Sequence, residues 1–158
     1  MSIPSIAPPR IAIRHVAPQR YLGKRVHARL DAVGMVVPAA YAELFAALRE
    51  AHVTPAGMPF LVASEPSGGE MDIELGVPCA DPPARGDLFA GTLPGGRVAV
   101  HTFTGRYEDI GPAYASLAEW IRVSGLESAG PPREVHLTGP QDVARPEDHV
   151  TEVVWPIV

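Results

Sequence analysis

At 158 residues, 46% of them apolar and 20% charged, the chain has the size and make-up of one ordinary globular domain. Its net charge of −5 argues against a nucleic-acid partner, which calls for a basic face, and its single cysteine, Cys79, excludes a disulfide framework or a thiolate metal cluster. No apolar run nears the roughly 20 residues of a membrane span, and MSIPSIAPPR lacks the charged start and apolar core of a signal peptide, so a soluble cytoplasmic protein away from membranes is expected.

Pro and Gly make up about a fifth of the chain and gather between periodic segments, which predicts many short elements joined by turns. Residues 1–9 read as a flexible, Pro-rich tail, leaving 10–158 as a single domain. Arg10–Val16 alternates apolar and polar residues, the pattern of a half-buried strand. Arg20–Leu30, with Val26, Ala28 and Leu30 on one face, reads as a second strand. Over Val37–His52, Tyr41, Leu44, Leu48 and Ala51 recur at helical spacing, and Pro38 suits a first helical turn. Phe60–Ser64 and Glu70–Val77 read as a hairpin about Ser67–Gly69, ended by Pro78. After a loop at Ala80–Arg85, Leu88–Leu93 and Arg97–Phe103 read as another hairpin around Pro94-Gly95-Gly96. A second amphipathic helix is expected from Asp109 to Ser124, with Ile110, Tyr114, Leu117 and Ile121 on one face. Pro112 falls in its first turn, and Gly125 stands where a C-terminal cap belongs. Strands near Arg133–Thr138 and Val150–Ile157 complete the chain.

Set side by side, these elements repeat. Tyr41, Leu44, Leu48, Gly57 and Pro59 match Tyr114, Leu117, Ile121, Gly130 and Pro132 at one constant offset. DIELGVP then matches TEVVWP when aligned on Pro78 and Pro156, which sets Glu74 opposite Glu152. The expected fold is α+β: a tandem β-α-β-β repeat with pseudo-twofold symmetry, halves near 10–80 and 86–158, and antiparallel sheet with two main helices. A central cleft between the halves is where a small ligand would bind.

Glu134 and Glu152 stand out because each is an acid within an otherwise apolar strand, and an unpartnered buried charge is costly. Pairing of the last two strands would bring them within a few residues of each other, with Glu74 as the repeat counterpart of Glu152. Such a carboxylate can attract a cationic ligand or serve as a general acid or base. The plain alternative is that each is exposed, or paired with Arg133, Arg97 or Arg106. Trp120, Trp155 and Tyr107 lie on the elements expected to form the cleft, and aromatic faces beside a carboxylate suit an organic cation or a flat apolar molecule. The same tryptophans are equally suited to a core. The six histidines show no helical i, i+4 pair, and phosphate-loop, dinucleotide and nucleophile-elbow motifs are absent, so neither metal nor cofactor is expected.

The run GRYEDIGPAYASLAEWIRVSGLESAGPPREVHLTGP, with the ending TEVVWPIV, resembles the GyrI-like small-molecule-binding family, also known as the bacterial transcription-activator effector-binding domain. MDIELGVP and LPGGRVAVHTFTG in the first half are similar too, and the resemblance spans roughly residues 10–158. It implies a cleft that takes apolar and cationic compounds, with a cleft glutamate as key contact: Glu134 by motif position, Glu152 second. Trp120, Trp155, Tyr107, His136 and Glu74 complete the expected ligand-binding set. Some free-standing members are similar to hydrolases that open cyclopropane-containing natural products with a glutamate and a tyrosine. In that alternative Glu134 is the catalytic acid/base, with Tyr107 or Tyr114 as donor, because His136 stands where the family often has tyrosine. Gyrase inhibition is a second alternative, which leaves room for a partner protein or a homodimer.

Overall fold

Short alternating strands bury their apolar faces by pairing edge to edge and lying against helices. The computed structural model describes residues 11–158, so the expected tail over residues 1–9 and the start of the first strand at Arg10 lie outside the described residues. The elements in chain order are β1 (Ile11–Val16), β2 (Gln19–Arg29), α1 (Val33–Glu50), β3 (Phe60–Ala63), β4 (Glu70–Pro78), β5 (Phe89–Leu93), β6 (Gly96–Thr104), α2 (Gly111–Val123), β7 (Arg133–His136) and β8 (Val150–Pro156). Short 3-10 turns at Leu30–Ala32, Tyr107–Asp109 and Pro146–Asp148 lead into α1, α2 and β8.

The α+β class and the tandem repeat are as expected. One eight-stranded antiparallel sheet has the order β1-β6-β8-β7-β3-β4-β2-β5. The repeats are β2-α1-β3-β4 and β6-α2-β7-β8, and they meet where β3 pairs with β7 through Phe60↔Val135 and Leu61↔Glu134. Register extends the equivalence across the sheet. Lys24, Leu75 and Leu61 form a row in one half, and His101, Val153 and Glu134 form the matching row in the other.

The hairpin expected from Leu88–Leu93 and Arg97–Phe103 does not form. β5 pairs instead with β2 of the first repeat, and β6 with β1 and β8. β1 and β2 separate in the same manner, so each repeat lends its leading strand to the other. Each two-residue link reaches at most ~11 Å, yet it joins strands near opposite ends of the sheet. The sheet must therefore curl until those ends approach. The links touch: a Cβ on Gly95 would lie 2.6 Å from Cδ of Pro18, so glycine is needed there. A local hairpin would forgo the main-chain bonds that this exchange places between the halves.

α1 begins four residues earlier than expected, because Val33 and Val37 pack against the first-half core. Pro38 consequently lies inside the helix rather than in its first turn, at the loss of one main-chain hydrogen bond. The segment Leu30–Glu50, with a mean hydropathy of 1.4, is long and apolar enough by length and composition to cross a membrane, contrary to the reading of the sequence. Here its stripe of Ala40, Leu44, Ala47 and Leu48 is buried over the sheet.

Both helices cover the same face. Leu22, Leu61, Leu75 and Val77 pack beneath α1, while Ala99, Val153 and Ile157 pack beneath α2 with Leu117 and Ile121. A fully buried leucine such as Leu44 or Leu117 contributes roughly 2 kcal/mol through apolar burial. On the opposite face of the first half, Tyr21 meets Phe60 edge to face at 4.9 Å. These rings lie across Gly76, where a Cβ would be 2.4 Å from the Phe60 ring. Val98, Val100 and Val154 fill the corresponding area of the second half.

Candidate functional site

Strand β7 is only four residues long, and its alternation decides which side chains face the helices. Leu61 belongs to the core under α1 and stands directly opposite Glu134, so Glu134 shares its face. His136, two residues on, does so too; Arg133 and Val135 face away. Glu134 therefore sits at the pseudo-twofold centre, in the seam between α1 and α2.

The Tyr114 hydroxyl, one turn into α2, donates to Glu134 Oε2 at 2.7 Å. Burial raises the Glu134 carboxyl above the ordinary range, and the Tyr114 hydrogen bond opposes that rise. Tyr114 is itself pushed up by burial and then by the Glu134 charge, so its proton stays in place at neutral pH. Tyr41, the repeat counterpart of Tyr114, reaches the same seam from α1 and is raised by the same two causes. Its ring meets His136 edge to face at 5.5 Å, and Tyr107 also meets His136 edge to face, at 5.4 Å. Burial, and next the neighbouring His149, lower His136 to about 4, which keeps its imidazole neutral.

One end of the seam is closed by a hydrogen-bonded group. Tyr107 stacks on His149 at 4.5 Å, and its hydroxyl lies 3.1 Å from both the Thr138 carbonyl and His149 Nδ1. Thr138 Oγ1 accepts from the Val150 N–H at 3.0 Å and lies 2.9 Å from the same His149 nitrogen. By contrast, the Tyr41 hydroxyl, both ring nitrogens of His136 and Thr151 Oγ1 are buried with no hydrogen-bond partner among the described residues. Thr151 stands opposite His136 in the β7–β8 register, so it shares the face. His101 Nδ1 is likewise buried and unpartnered, at the far end of the Glu134 row.

The structure brings Glu134, Tyr114, Tyr107 and His136 together and leaves the other expected residues elsewhere. Glu152 follows the face of Val135, opposite to Glu134, where Arg14 Nη1 pairs with it at 2.9 Å. The two acids are near in register but separated by the sheet, because successive strand residues point to opposite sides. Glu74 occupies the equivalent position in the first half, bonded to Arg25 Nε at 3.0 Å and to the Tyr21 hydroxyl at 3.0 Å. The partners are thus Arg14 and Arg25 rather than Arg133, Arg97 or Arg106. Arg133 lies buried on that outer face, without an ion pair among the described residues. Trp155 packs on the α2 core and donates to Ser128 Oγ at 2.9 Å. Trp120 also packs there, about 120° around the helix from Tyr114 at ~100° per residue, and so points away from the seam.

A hollow of about 600 Å³ lies beside Arg25, His27, Val62, Asp72 and Glu74, away from Glu134. Its polar groups are already committed: Glu74 to Arg25 and Tyr21, and Asp72 to His27 at 2.6 Å. The seam, by contrast, holds several buried groups that are uncommitted among the described residues. Sequence reading overlooked Tyr41, Thr151 and Thr138 as site residues. Tyr41 carried a signal, since the repeat pairs it with Tyr114; the others become neighbours only through the β7–β8 pairing.

The fold has known relatives. The chain is similar in structure to the C-terminal domain of EcmrR, with a TM-score of 0.81 at 17% identity, covering 95% of this chain and 98% of that one. In the EcmrR–DNA complex the TM-score is 0.79 at 18% identity, and the match covers 93% of this chain but 56% of the longer regulator chain. SAV2435 bound to tetraphenylphosphonium is similar with a TM-score of 0.67 at 14% identity, covering 94% and 93% of the two chains. A hydrolase from Listeria innocua matches with a TM-score of 0.66 at 12% identity, covering 97% and 94%. At these identities the likeness establishes the fold alone. No curated protein sequence matches the chain. The family profile described as the GyrI-like small molecule binding domain matches residues 9–158, and the chain belongs to that family.

Proposed function

We propose that the chain binds an apolar organic cation in the seam between α1 and α2, with Glu134 neutralising the ligand's charge. The observation that carries this reading is the position of Glu134: a half-buried carboxylate at the pseudo-twofold centre, held by Tyr114 and close enough to Tyr41 and Tyr107 for its charge to act on both. No salt bridge engages it among the described residues. A half-buried anion of this kind gains most from a partner that brings a positive charge and excludes water. The tyrosine rings offer faces for the cation and its apolar body. Similarity to SAV2435 bound to tetraphenylphosphonium supports the same class of ligand. The seam is narrow, since Tyr41 and His136 touch edge to face, so a ligand enters by turning these rings aside.

Titration with tetraphenylphosphonium, followed by calorimetry and thermal shift, tests this reading. Saturable binding at pH 7 is expected, with at least a tenfold loss in Glu134→Gln. Because the carboxyl is raised, binding should also weaken as the pH falls toward and below its pKa, where protonation removes the charge. Absence of binding for this and other lipophilic cations would overturn the proposal.

A second reading rests on the 2.7 Å contact between Tyr114 and Glu134. A raised carboxyl beside a hydroxyl donor is suited to activating water against a strained-ring electrophile. Turnover of cyclopropane-containing compounds that is lost in both Glu134→Gln and Tyr114→Phe would establish it. Binding without product would exclude it.

A further inference from the structure

The seam holds more uncommitted polarity than a purely apolar cation can use. Around Glu134 the Tyr41 hydroxyl, His136 Nδ1 and Nε2, and Thr151 Oγ1 are all buried and unpartnered among the described residues. They converge from three elements: Tyr41 from α1, His136 from β7 and Thr151 from β8. His136 and Thr151 are directly opposite in register, and Tyr41 touches the His136 ring. Buried polar groups are ordinarily hydrogen-bonded, and leaving one unpaired costs more than a typical hydrogen bond returns. Four such atoms beside one carboxylate would be an expensive way merely to build a core.

We propose that this cleft selects cations that also carry hydroxyl or carbonyl groups, with Tyr41, His136 and Thr151 pairing those groups while Glu134 takes the charge. The inference rests on the cation-binding reading above and sharpens its ligand class. The chemistry of each group sets what the ligand must offer. A neutral His136 has one N–H and one lone pair, so it asks for an acceptor and a donor. A hydroxyl can serve either nitrogen, one at a time. The Tyr41 hydroxyl, which keeps its proton, is best used as a donor to a carbonyl or ether oxygen, and Thr151 can take either role. A tetra-aryl phosphonium satisfies the carboxylate and leaves all four atoms unpaired. A hydroxylated aryl amine, whose ammonium bonds Glu134, satisfies several at once. Sites built to pair a ligand's hydrogen-bonding groups reject analogues that lack them, because the buried partners then stay unsatisfied.

The test compares tyramine, serotonin and doxorubicin with phenethylamine and tetraphenylphosphonium by calorimetry at pH 7, in wild type, Tyr41→Phe, Thr151→Val, His136→Phe and Glu134→Gln. Wild type should bind tyramine more tightly than phenethylamine, which differs only by the hydroxyl. Tyr41→Phe and Thr151→Val should each weaken at least one hydroxylated amine by about tenfold, the scale of one lost hydrogen bond. Tetraphenylphosphonium should be unchanged or improved by both. A readout without ligand guards against a merely structural role: because these hydroxyls are unpaired, Tyr41→Phe and Thr151→Val should hold or raise the melting temperature. Equal binding of the hydroxylated and plain amines, equal effects of the variants on both ligand classes, or a fall in melting temperature would each overturn the inference. Loss of the underlying cation reading looks different: Glu134→Gln would then leave every ligand unaffected, or none would bind.

Discussion

The two repeats share a backbone and differ in chemistry. Tyr41 and Tyr114 face the axis from equivalent places on α1 and α2, and the strands beneath them match residue for residue. Yet Leu61 stands in the first half where Glu134 stands in the second, and Lys24 where the second half has His101. Lys24 is tied to Glu43 and Asp87, whereas His101 Nδ1 has no partner among the described residues. The first half therefore contributes one uncommitted polar group, the Tyr41 hydroxyl, and the second half carries the charge and the rest. The difference shows what a duplicated fold allows. Symmetry builds a seam with a tyrosine on each side, and a single substitution at the axis gives that seam one charge.

The most severe way to break the comparison is to make the halves alike. Leu61→Glu would set two carboxylates directly opposite at the centre of the sheet, where cross-strand Cβ atoms lie ~5 Å apart. With Leu61 buried, a loss of about 4 kcal/mol at pH 7 is expected, partly recovered at pH 4 as the pair takes up a proton. Denaturant melts at the two pH values measure it. His136 comes next. Its pKa falls to about 4 in the folded protein, whereas an unfolded histidine titrates near 6.5. The stability held by its neutral form is thus complete above pH ~6.5 and is lost as the pH falls toward 4, up to about 3 kcal/mol. His136→Phe should flatten that part of the stability–pH curve.

Glu134→Gln probes the asymmetry with the opposite sign. A raised carboxyl favours the folded state at low pH and opposes it once ionised, so the folded protein is penalised as the pH rises through the Glu134 pKa. The ligand-free variant should be more stable than wild type at pH 7 by on the order of 1 kcal/mol, with the gain vanishing near pH 3. The smallest effect belongs to the outer face. Arg14, half exposed in its pair with Glu152, should cost about 0.5 kcal/mol or less when replaced by Ala, and still less at high salt. Ligand binding should not change. A large loss of binding in Arg14→Ala would mean that the outer face takes part after all.

Most of this molecule was legible before its folding. Helical spacing located α2 to within about two residues, short apolar runs bounded by turn residues located β4 and β8, and the constant offset between Tyr41 and Tyr114 disclosed the repeat. The same offset aligns Glu134 with Leu61, so the acid at 134 has no acidic counterpart in the first half. Three things escaped. The strand exchange did, because Pro94-Gly95-Gly96 makes a local turn signal indistinguishable from a hairpin. The start of α1 did, because Val33 and Val37 are held by contacts with strands far along the chain. The choice between cleft and core for the tryptophans did, because the sequence suits both equally and only tertiary packing sets Trp120 and Trp155 against the α2 core.

Local composition and period thus determined the elements, their repetition and the existence of an unusual acid, because these depend on residues a few positions apart. Which acid faces the helices was decided only by tertiary pairing. Glu134 and Glu152 occupy similar apolar runs, and the β7–β8 register, together with the packing of Leu61 and Val153 under the two helices, sends one into the seam and the other to Arg14. A strand has two faces, and nothing within it says which one the rest of the chain will bury.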